Sequence, residues 1–148
     1  MKYIIVFISF LISFNICAQK NGEWIKKNSE GIIMEKGFYN NKKKDGEWSY
    51  YYDDGIISLK ATYFKGVLNG ESLRYDLKGN MIADLHYIDG KITGEQTYYY
   101  PNGNVLSKGE MENGKENGAW KYFNPNGDLA GYVKYENGIQ INELSKKK

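Results

Sequence analysis

The stretch Gly94 to Asn117, GEQTYYYPNGNVLSKGEMENGKEN, decides the fold because most of the chain repeats it. Shifting the sequence by 24 residues aligns the chain with itself without a gap. The first glycine of the unit recurs five times, as Gly22, Gly46, Gly70, Gly94 and Gly118. Five copies in one phase predict a repeat protein in which each unit packs only on its neighbours.

Two further glycines of each unit mark turns. The first of them recurs as Gly31, Gly55, Gly79, Gly103 and Gly127. The other recurs as Gly66, Gly90, Gly114 and Gly138, with Lys42 in its place in the first copy. In the segment 100–104, YPNGN, proline presets a type I turn and glycine takes the left-handed position after it. We therefore predict a three-residue hairpin loop with a glycine bulge, in which Tyr100 pairs with Asn104.

Short tracts rich in Tyr, Trp, Ile and Val lie between these turns, and none shows the apolar spacing of a helix. Each unit is expected to form two antiparallel strands, roughly at 95–100 and 104–111 in the fourth copy. The predicted fold is all-β: a single-layer antiparallel β-hairpin solenoid of five 24-residue repeats. Its ten strands should form an elongated, twisted meander.

Counting outward from the loops sets a register with two faces. One face pairs aromatic with aliphatic residues in four copies and lysine with isoleucine in the first: Tyr51–Ile57, Tyr75–Met81, Tyr99–Val105, Phe123–Leu129 and Lys27–Ile33. Two rows continue this face, which we expect to be buried: Gly37, Ala61, Leu85, Gly109 and Val133, then Tyr39, Tyr63, Tyr87, Met111 and Tyr135.

The opposite, wetter face is expected to carry the tryptophans. The register pairs Trp24 with Lys36, Trp48 with Lys60, Trp120 with Tyr132, Ser72 with Asp84 and Gln96 with Lys108. Lysine ammonium groups should therefore lie over tryptophan rings in cation–π contacts.

Residues 1–18 have the pattern of a secretory leader, with Lys2, an apolar run from Tyr3 to Ile16, and Ala18 at the cleavage point. Cleavage there would leave a repeat domain at 19–148, with a degenerate cap at 142–148. The apolar run is shorter than the ~20 residues of a membrane span, so no transmembrane helix is expected in the mature chain. Expected destinations are the periplasm, the cell surface or the medium. Two alternatives stay open: an uncleaved anchor and a lipid-modified Cys17.

Composition argues against several classes of function. The only cysteine, Cys17, lies in the leader, so a mature chain would have neither disulfides nor a thiol nucleophile. Without Lys2, 19 basic residues face 18 acidic ones, which gives no reason to expect a nucleic-acid partner.

Catalytic constellations are not evident in the sequence. The only histidine is His86, and its equivalents in the other copies do not make a metal-ligand set: Phe38, Thr62, Glu110 and Lys134. The recurring acidic residues are interpreted as solvated or turn-supporting: Glu23, Glu47, Glu71 and Glu95, together with Asp53 and Asp54. No glycine-rich segment precedes a helix, so no phosphate loop is expected. We predict no enzyme, no cofactor and no metal site.

The copies GEWSYYYDDGIISLKATYFKG (46–66) and GAWKYFNPNGDLAGYVKYENG (118–138) resemble units of the MORN-repeat-variant family. The resemblance covers Gly22 to about Gly138, and the third and fourth copies depart from it with Ser72 and Gln96 in place of Trp. It implies a hairpin solenoid that serves as an interaction scaffold, in some members linked to membranes or lipids. Bacterial relatives are often labelled antitoxins of toxin–antitoxin systems, a label that the leader argues against.

The aromatic residues are the remaining candidates for binding. The predicted partner-binding set consists of Trp24, Trp48, Trp120, Tyr50, Tyr98 and Tyr122, flanked by Lys36 and Lys60. The alternative is that these rings only pack the sheet. We expect an exported, non-enzymatic scaffold that binds a protein through its aromatic face or a sheet edge. A carbohydrate or cell-envelope binding module and an antitoxin-like inhibitor remain as alternatives.

Overall fold

The computed structural model describes residues 21–142, which form one antiparallel sheet. Its strands are β1 (Gly22–Lys27), β2 (Ile33–Asn40), β3 (Lys43–Tyr51), β4 (Ile57–Phe64), β5 (Val67–Tyr75), β6 (Met81–Ile88), β7 (Lys91–Ile92), β8 (Gly94–Tyr99), β9 (Val105–Glu112), β10 (Lys115–Phe123), β11 (Leu129–Glu136) and β12 (Ile139–Gln140). The predicted leader, and the predicted cap beyond Asn142, lie outside these residues.

The strands lie side by side in chain order, except that the short β7 pairs with β6 beside β8. The predicted all-β hairpin repeat sheet is confirmed, but residues 21–142 form twelve strands rather than ten. One extra strand arises because the first strand of the fourth unit is divided at Thr93. There the Gln96 side chain donates hydrogen bonds to the carbonyl oxygens of Thr93 and Gly94, at 3.1 and 2.9 Å. The other extra strand, β12, begins a further unit.

The three-residue loops form as predicted. The Tyr100 amide donates to the Asn104 carbonyl at 2.8 Å, and the Gly103 amide donates back to the Tyr100 carbonyl at 2.9 Å. Gly103 has φ +85°, in the left-handed region that glycine adopts without steric cost. The predicted strand-end residues pair as expected: Lys27–Ile33, Tyr51–Ile57, Tyr75–Met81, Tyr99–Val105 and Phe123–Leu129. Their predicted face is wrong, since Tyr51 lies beside Lys36 on the side opposite the rows that contain Gly37 and Tyr39.

The register changes immediately beyond these pairs. Tyr51 pairs with Ile57 but Tyr50 pairs with Leu59, so β4 contains one extra residue, Ser58. A one-residue slip moves each side chain to the other face. Trp48 consequently faces Ala61 instead of Lys60.

The prediction of a wetter tryptophan face is therefore wrong. Trp48 is 0% exposed and Trp120 is 7% exposed. The corrected partners are Trp24–Gly37, Ser72–Leu85, Gln96–Gly109 and Trp120–Val133. A bulge therefore unites the tryptophan row with the two rows already expected to be buried.

A second irregularity places each tryptophan. Between the pairs Lys36–Ser49 and Phe38–Asp45, β2 contributes only Gly37, whereas β3 contributes the three residues 46–48. The first of these, Gly46, has φ +72° and lets the strand bulge. The indole of Trp48 then occupies the space above Gly37, where a Cβ would lie 2.3 Å from Cδ2.

The buried core is a stripe along this one face: Trp48, Ala61, Ala83, Leu85, Trp120 and Val133. Where a buried tryptophan is present, the residue beneath it is glycine, and where the tryptophan is replaced, the residue beneath is larger. Trp120 lies over Gly109, whereas the equivalent positions one unit earlier hold Gln96 and Leu85. The larger Leu85 takes space that the indole would fill, so the smaller Gln96 suffices there.

Candidate functional site

The tyrosine face is the side of the sheet that carries the buried tryptophans. It is defined by seven half-buried tyrosines, Tyr39, Tyr50, Tyr63, Tyr87, Tyr98, Tyr122 and Tyr135. The rings cover the indoles: Tyr50 lies 6.3 Å from Trp48 between ring centroids, and Tyr98 lies 6.3 Å from Trp120. Tyrosine rings therefore form a large part of the accessible surface of this face, and Trp48 and Trp120 lie beneath them.

Lys44 covers the N-terminal end of the tyrosine face. Its ammonium group lies 4.0 Å from the Trp48 ring centroid and 2.7 Å from the Tyr50 hydroxyl oxygen, to which it donates. The Glu35 carboxylate lies 3.7 Å from the same Nζ. The sequence predicts a cation–π contact to tryptophan, but from Lys36 and Lys60 rather than from Lys44.

The two lysines of the predicted set lie elsewhere. Lys36 Nζ lies 5.8 Å from the centroid of Tyr51 rather than over Trp24. Lys60 pairs with Ser49, one position beyond Trp48. The bulge at Ser58 explains the second displacement, because it moves the register by one residue.

The residue that faces the tyrosine row changes character along the sheet. Lys44 pairs with Tyr39 at one end, and its equivalents in the next four units are Leu68, Ile92, Glu116 and Gln140. Leu68 pairs with Tyr63 and Ile92 pairs with Tyr87, so these two positions are apolar. The exposed Arg74 lies between them on the same face, where it pairs with Ala83. The tyrosine face thus carries a cation at Lys44, apolar residues and a second cation, Arg74, in its middle, and a carboxylate at Glu116.

Burial raises the pKa of four tyrosines of this face, Tyr50, Tyr63, Tyr98 and Tyr122. Desolvation raises the pKa of Tyr63 to about 12, assisted by a hydrogen bond with the Tyr50 hydroxyl at 3.2 Å. Desolvation also raises the pKa of Tyr98, and the neighbouring Tyr87 adds to the rise. Burial also raises the pKa of Tyr122, and its hydrogen bond with Tyr135 raises it further. At neutral pH these groups are uncharged hydroxyls that can both donate and accept hydrogen bonds.

The predicted tryptophans take three positions in this site. Trp24 is half-buried on the terminal strand β1, and its Nε1 donates to Glu35 at 3.2 Å. Trp48 and Trp120 are in the core, where each Nε1 donates at 3.1 Å to a carbonyl of the preceding strand, that of Phe38 or Glu110. These last two rings act as structural residues.

The predicted tyrosines Tyr50, Tyr98 and Tyr122 all lie on the accessible side of the site. Sequence reasoning missed the other row, which it placed on the opposite face: Tyr39, Tyr63, Tyr87 and Tyr135. Their recurrence at the repeat period is visible in the sequence. The bulge that brings the two rows together is not.

His86 lies on the other face of the sheet. It pairs directly with Glu71 across β5 and β6, and Asp84 precedes it by two residues on the same strand. Comparing His86 with its equivalents in other copies could not reveal this grouping, because cross-strand neighbours decide it.

The part of the chain from 21 to 142 contains no helix with the length and apolar character that crossing a membrane requires. No curated protein matches the chain. The family model described as the MORN repeat variant matches residues 44–65, 92–113 and 116–137. Repeats of this family are generally non-enzymatic modules that bind proteins or membranes. Three of the five hairpins in this sheet, β3–β4, β8–β9 and β10–β11, therefore match the MORN repeat variant.

Proposed function

We propose that this protein is an exported, non-enzymatic scaffold that binds a protein partner through the tyrosine face. The observation that carries the proposal is the seven half-buried tyrosines along one side of the sheet, in two rows interrupted only by Arg74 and Met111. Tyrosine offers a large, rigid contact area at low entropic cost and is enriched at protein interfaces. A partly exposed ring with a neutral hydroxyl can pack against apolar groups and hydrogen-bond in the same contact.

The charge along the face favours a partner of matching character. Lys44 and Arg74 suit acidic groups, Leu68 and Ile92 suit apolar groups, and Glu116 suits a basic group. Electrostatic complementarity of this kind fixes the orientation of a partner more than it adds affinity. A protein segment can carry all three kinds of group.

Sugar binding is less well supported by the packing. A sugar ring stacks on a flat, exposed aromatic ring, and Trp48 and Trp120 are buried under tyrosines and Lys44. We therefore treat a glycan partner as an outcome of the test.

Capture from envelope extract tests the proposal. Tyr98→Ala and Tyr122→Ala should each weaken capture of the partner by about tenfold or more, the size expected for an interface hot spot. Thr97→Ala and Lys121→Ala are matched controls, because these neighbours point to the opposite face and should leave capture unchanged. Ile25→Lys on β1, where Ile25 is 54% exposed, checks the alternative of a sheet-edge contact.

Two results of this experiment would contradict the proposal. One is that Tyr98→Ala and Tyr122→Ala capture the partner as well as the parent protein does, while their circular-dichroism spectra show a folded sheet. The other is a captured partner that survives protease treatment of the extract, which would indicate a glycan.

Export is tested separately by sequencing the N-terminus of the protein from cell fractions. We expect Gln19 as the first residue and a location outside the cytosol, because the leader pattern ends at Ala18. A cytosolic protein that begins at Met1 would refute export and favour the antitoxin-like alternative.

A further inference from the structure

We infer that Glu71, Asp84 and His86 form a binding site for a divalent transition-metal ion such as Zn²⁺. One ligand atom from each side chain lies within 4.8 Å of the other two. Glu71 faces His86 across the β5–β6 ladder, and Asp84 lies on the same face of β6. We call these three residues the carboxylate–histidine cluster. It lies on the face opposite the tyrosines, so the inference is independent of the proposed function.

The carboxylate–histidine cluster occurs in the third copy of the repeat, where the residues differ from those at the equivalent positions of the other copies. The positions equivalent to Asp84 hold lysine in three other copies, Lys36, Lys60 and Lys108. In the fourth copy Lys108 Nζ lies 3.7 Å from the carboxylate of Glu95, the equivalent of Glu71, and neutralises it. In the third copy an aspartate replaces that lysine, so Glu71 meets a second carboxylate and a histidine. Like charges placed together are unfavourable unless a cation joins them.

Asp84 carries an unsatisfied acceptor at this position. Its Oδ1 is buried and has no hydrogen-bond partner among residues 21–142, although 28% of the side chain remains exposed. The nearest ligating group is His86 Nδ1, at 3.8 Å. A buried acceptor without a donor is destabilising, and a metal ion between the two groups would satisfy it.

His86 is oriented beside the carboxylates by the backbone. Its Nδ1 lies 3.2 Å from the Glu95 carbonyl oxygen, and half of its side chain is exposed to solvent. A metal ion bound at Nδ1 would replace this contact with the carbonyl, because a ring nitrogen that donates a proton has no lone pair for a metal. The solvent-exposed side of the cluster leaves coordination positions for water.

The ligand set selects the class of ion. Imidazole nitrogen combined with carboxylate oxygen suits Zn²⁺ and its neighbours in the first transition row. Their bonds of about 2.0–2.2 Å require ligand atoms roughly 3–4 Å apart. The exposed Glu71 side chain can turn to meet that spacing. We expect one ion per chain, held by three protein ligands.

Isothermal titration of the full chain with Zn²⁺, in a Cys17→Ser background that removes the only thiol, tests the site. Asp84→Lys and His86→Thr restore the residues of the second copy, Lys60 and Thr62, and therefore fit the repeat. Each should weaken Zn²⁺ binding by about tenfold or more. Glu47→Gln, at the position equivalent to Glu71 in the second copy, should leave binding unchanged. Zn²⁺ should also raise the melting temperature of the parent protein, but not that of His86→Thr.

The inference is overturned if the parent chain binds no Zn²⁺, or if Asp84→Lys and His86→Thr bind it as tightly as the parent. Equal weakening by Glu47→Gln would also overturn it, because the ion would then bind acidic surface in general. Should circular dichroism show that Asp84→Lys or His86→Thr is unfolded, Glu71→Gln at an exposed position decides between the same outcomes.

Discussion

Trp48 lies directly over Gly37, so close that a Cβ at Gly37 would be 2.3 Å from Cδ2 of the indole. The same arrangement recurs at Trp120 and Gly109, where the shortest such distance is 2.5 Å. Gly37 and Gly109 both have a negative φ, so backbone conformation does not require glycine at either position. These two glycines are therefore required by packing, whereas the turn glycines are required by backbone conformation.

Gly37→Ala is expected to destabilise the sheet by about 1–3 kcal/mol, because the added methyl group overpacks the contact with Trp48. The change in the free energy of unfolding can be measured by urea denaturation. The double variant Gly37→Ala/Trp48→Ser reproduces the equivalent pair Ala61 and Ser72 of the next unit. In the Trp48→Ser background the alanine should cost little. Equal costs in both backgrounds would show that the indole is not the cause.

Trp48→Ala is expected to lower the free energy of unfolding by roughly 3–5 kcal/mol, because it empties the largest fully buried side-chain position. Trp24→Ala, on the terminal strand and only half-buried, is the matched comparison and should cost clearly less. Urea denaturation of the two variants checks the order. Similar losses would mean that the core does not concentrate at the Trp48 position.

Lys42→Gly is expected to stabilise the protein by about 1 kcal/mol, because Lys42 adopts φ +63° at a position where four other copies hold glycine. Thermal unfolding should show a higher melting temperature. Gly114→Lys makes the reverse change at φ +84° and should lower the melting temperature. An unchanged or lower melting temperature in Lys42→Gly would show that the first turn relaxes differently from the others.

Alkaline pH is expected to weaken the fold through Tyr63. Its pKa is raised from 10.0 to about 12, so the folded state holds the phenol proton more tightly than the unfolded chain does. That contribution to stability is complete below pH 10 and is lost as the pH rises towards 12. Urea denaturation on either side of pH 10 measures the loss, and ultraviolet absorbance follows the ionisation.

Two variants check the assignment to Tyr63. Tyr63→Phe should reduce the alkaline loss, since it removes the titrating hydroxyl. Lys44→Met should raise the pKa of Tyr63 further, because the Lys44 charge lowers it. If Tyr63→Phe loses as much stability as the parent between these pH values, another group is responsible.

The hairpin loops and the pairs beside them could be predicted because local chemistry decides them. Tyr100 pairs with Asn104 since proline and glycine fix the loop between them, whatever the rest of the sheet does. The pair Tyr99–Val105 follows directly. Beyond it, the extra residue in the ladder has no marker in the sequence, since Ser58 in β4 is an ordinary strand residue. The predicted tryptophan–lysine pairs failed at this point.

The sequence alone determined the number, phase and turns of the repeats, because glycine conformations are local and need no distant partner. The tertiary structure decided which face the tryptophans occupy, since a bulge shifts the register of every residue after it. It also decided that seven tyrosines share one surface and that Glu71 meets Asp84 and His86 on the other. These groupings depend on which residues become neighbours across strands, and only the assembled sheet sets that.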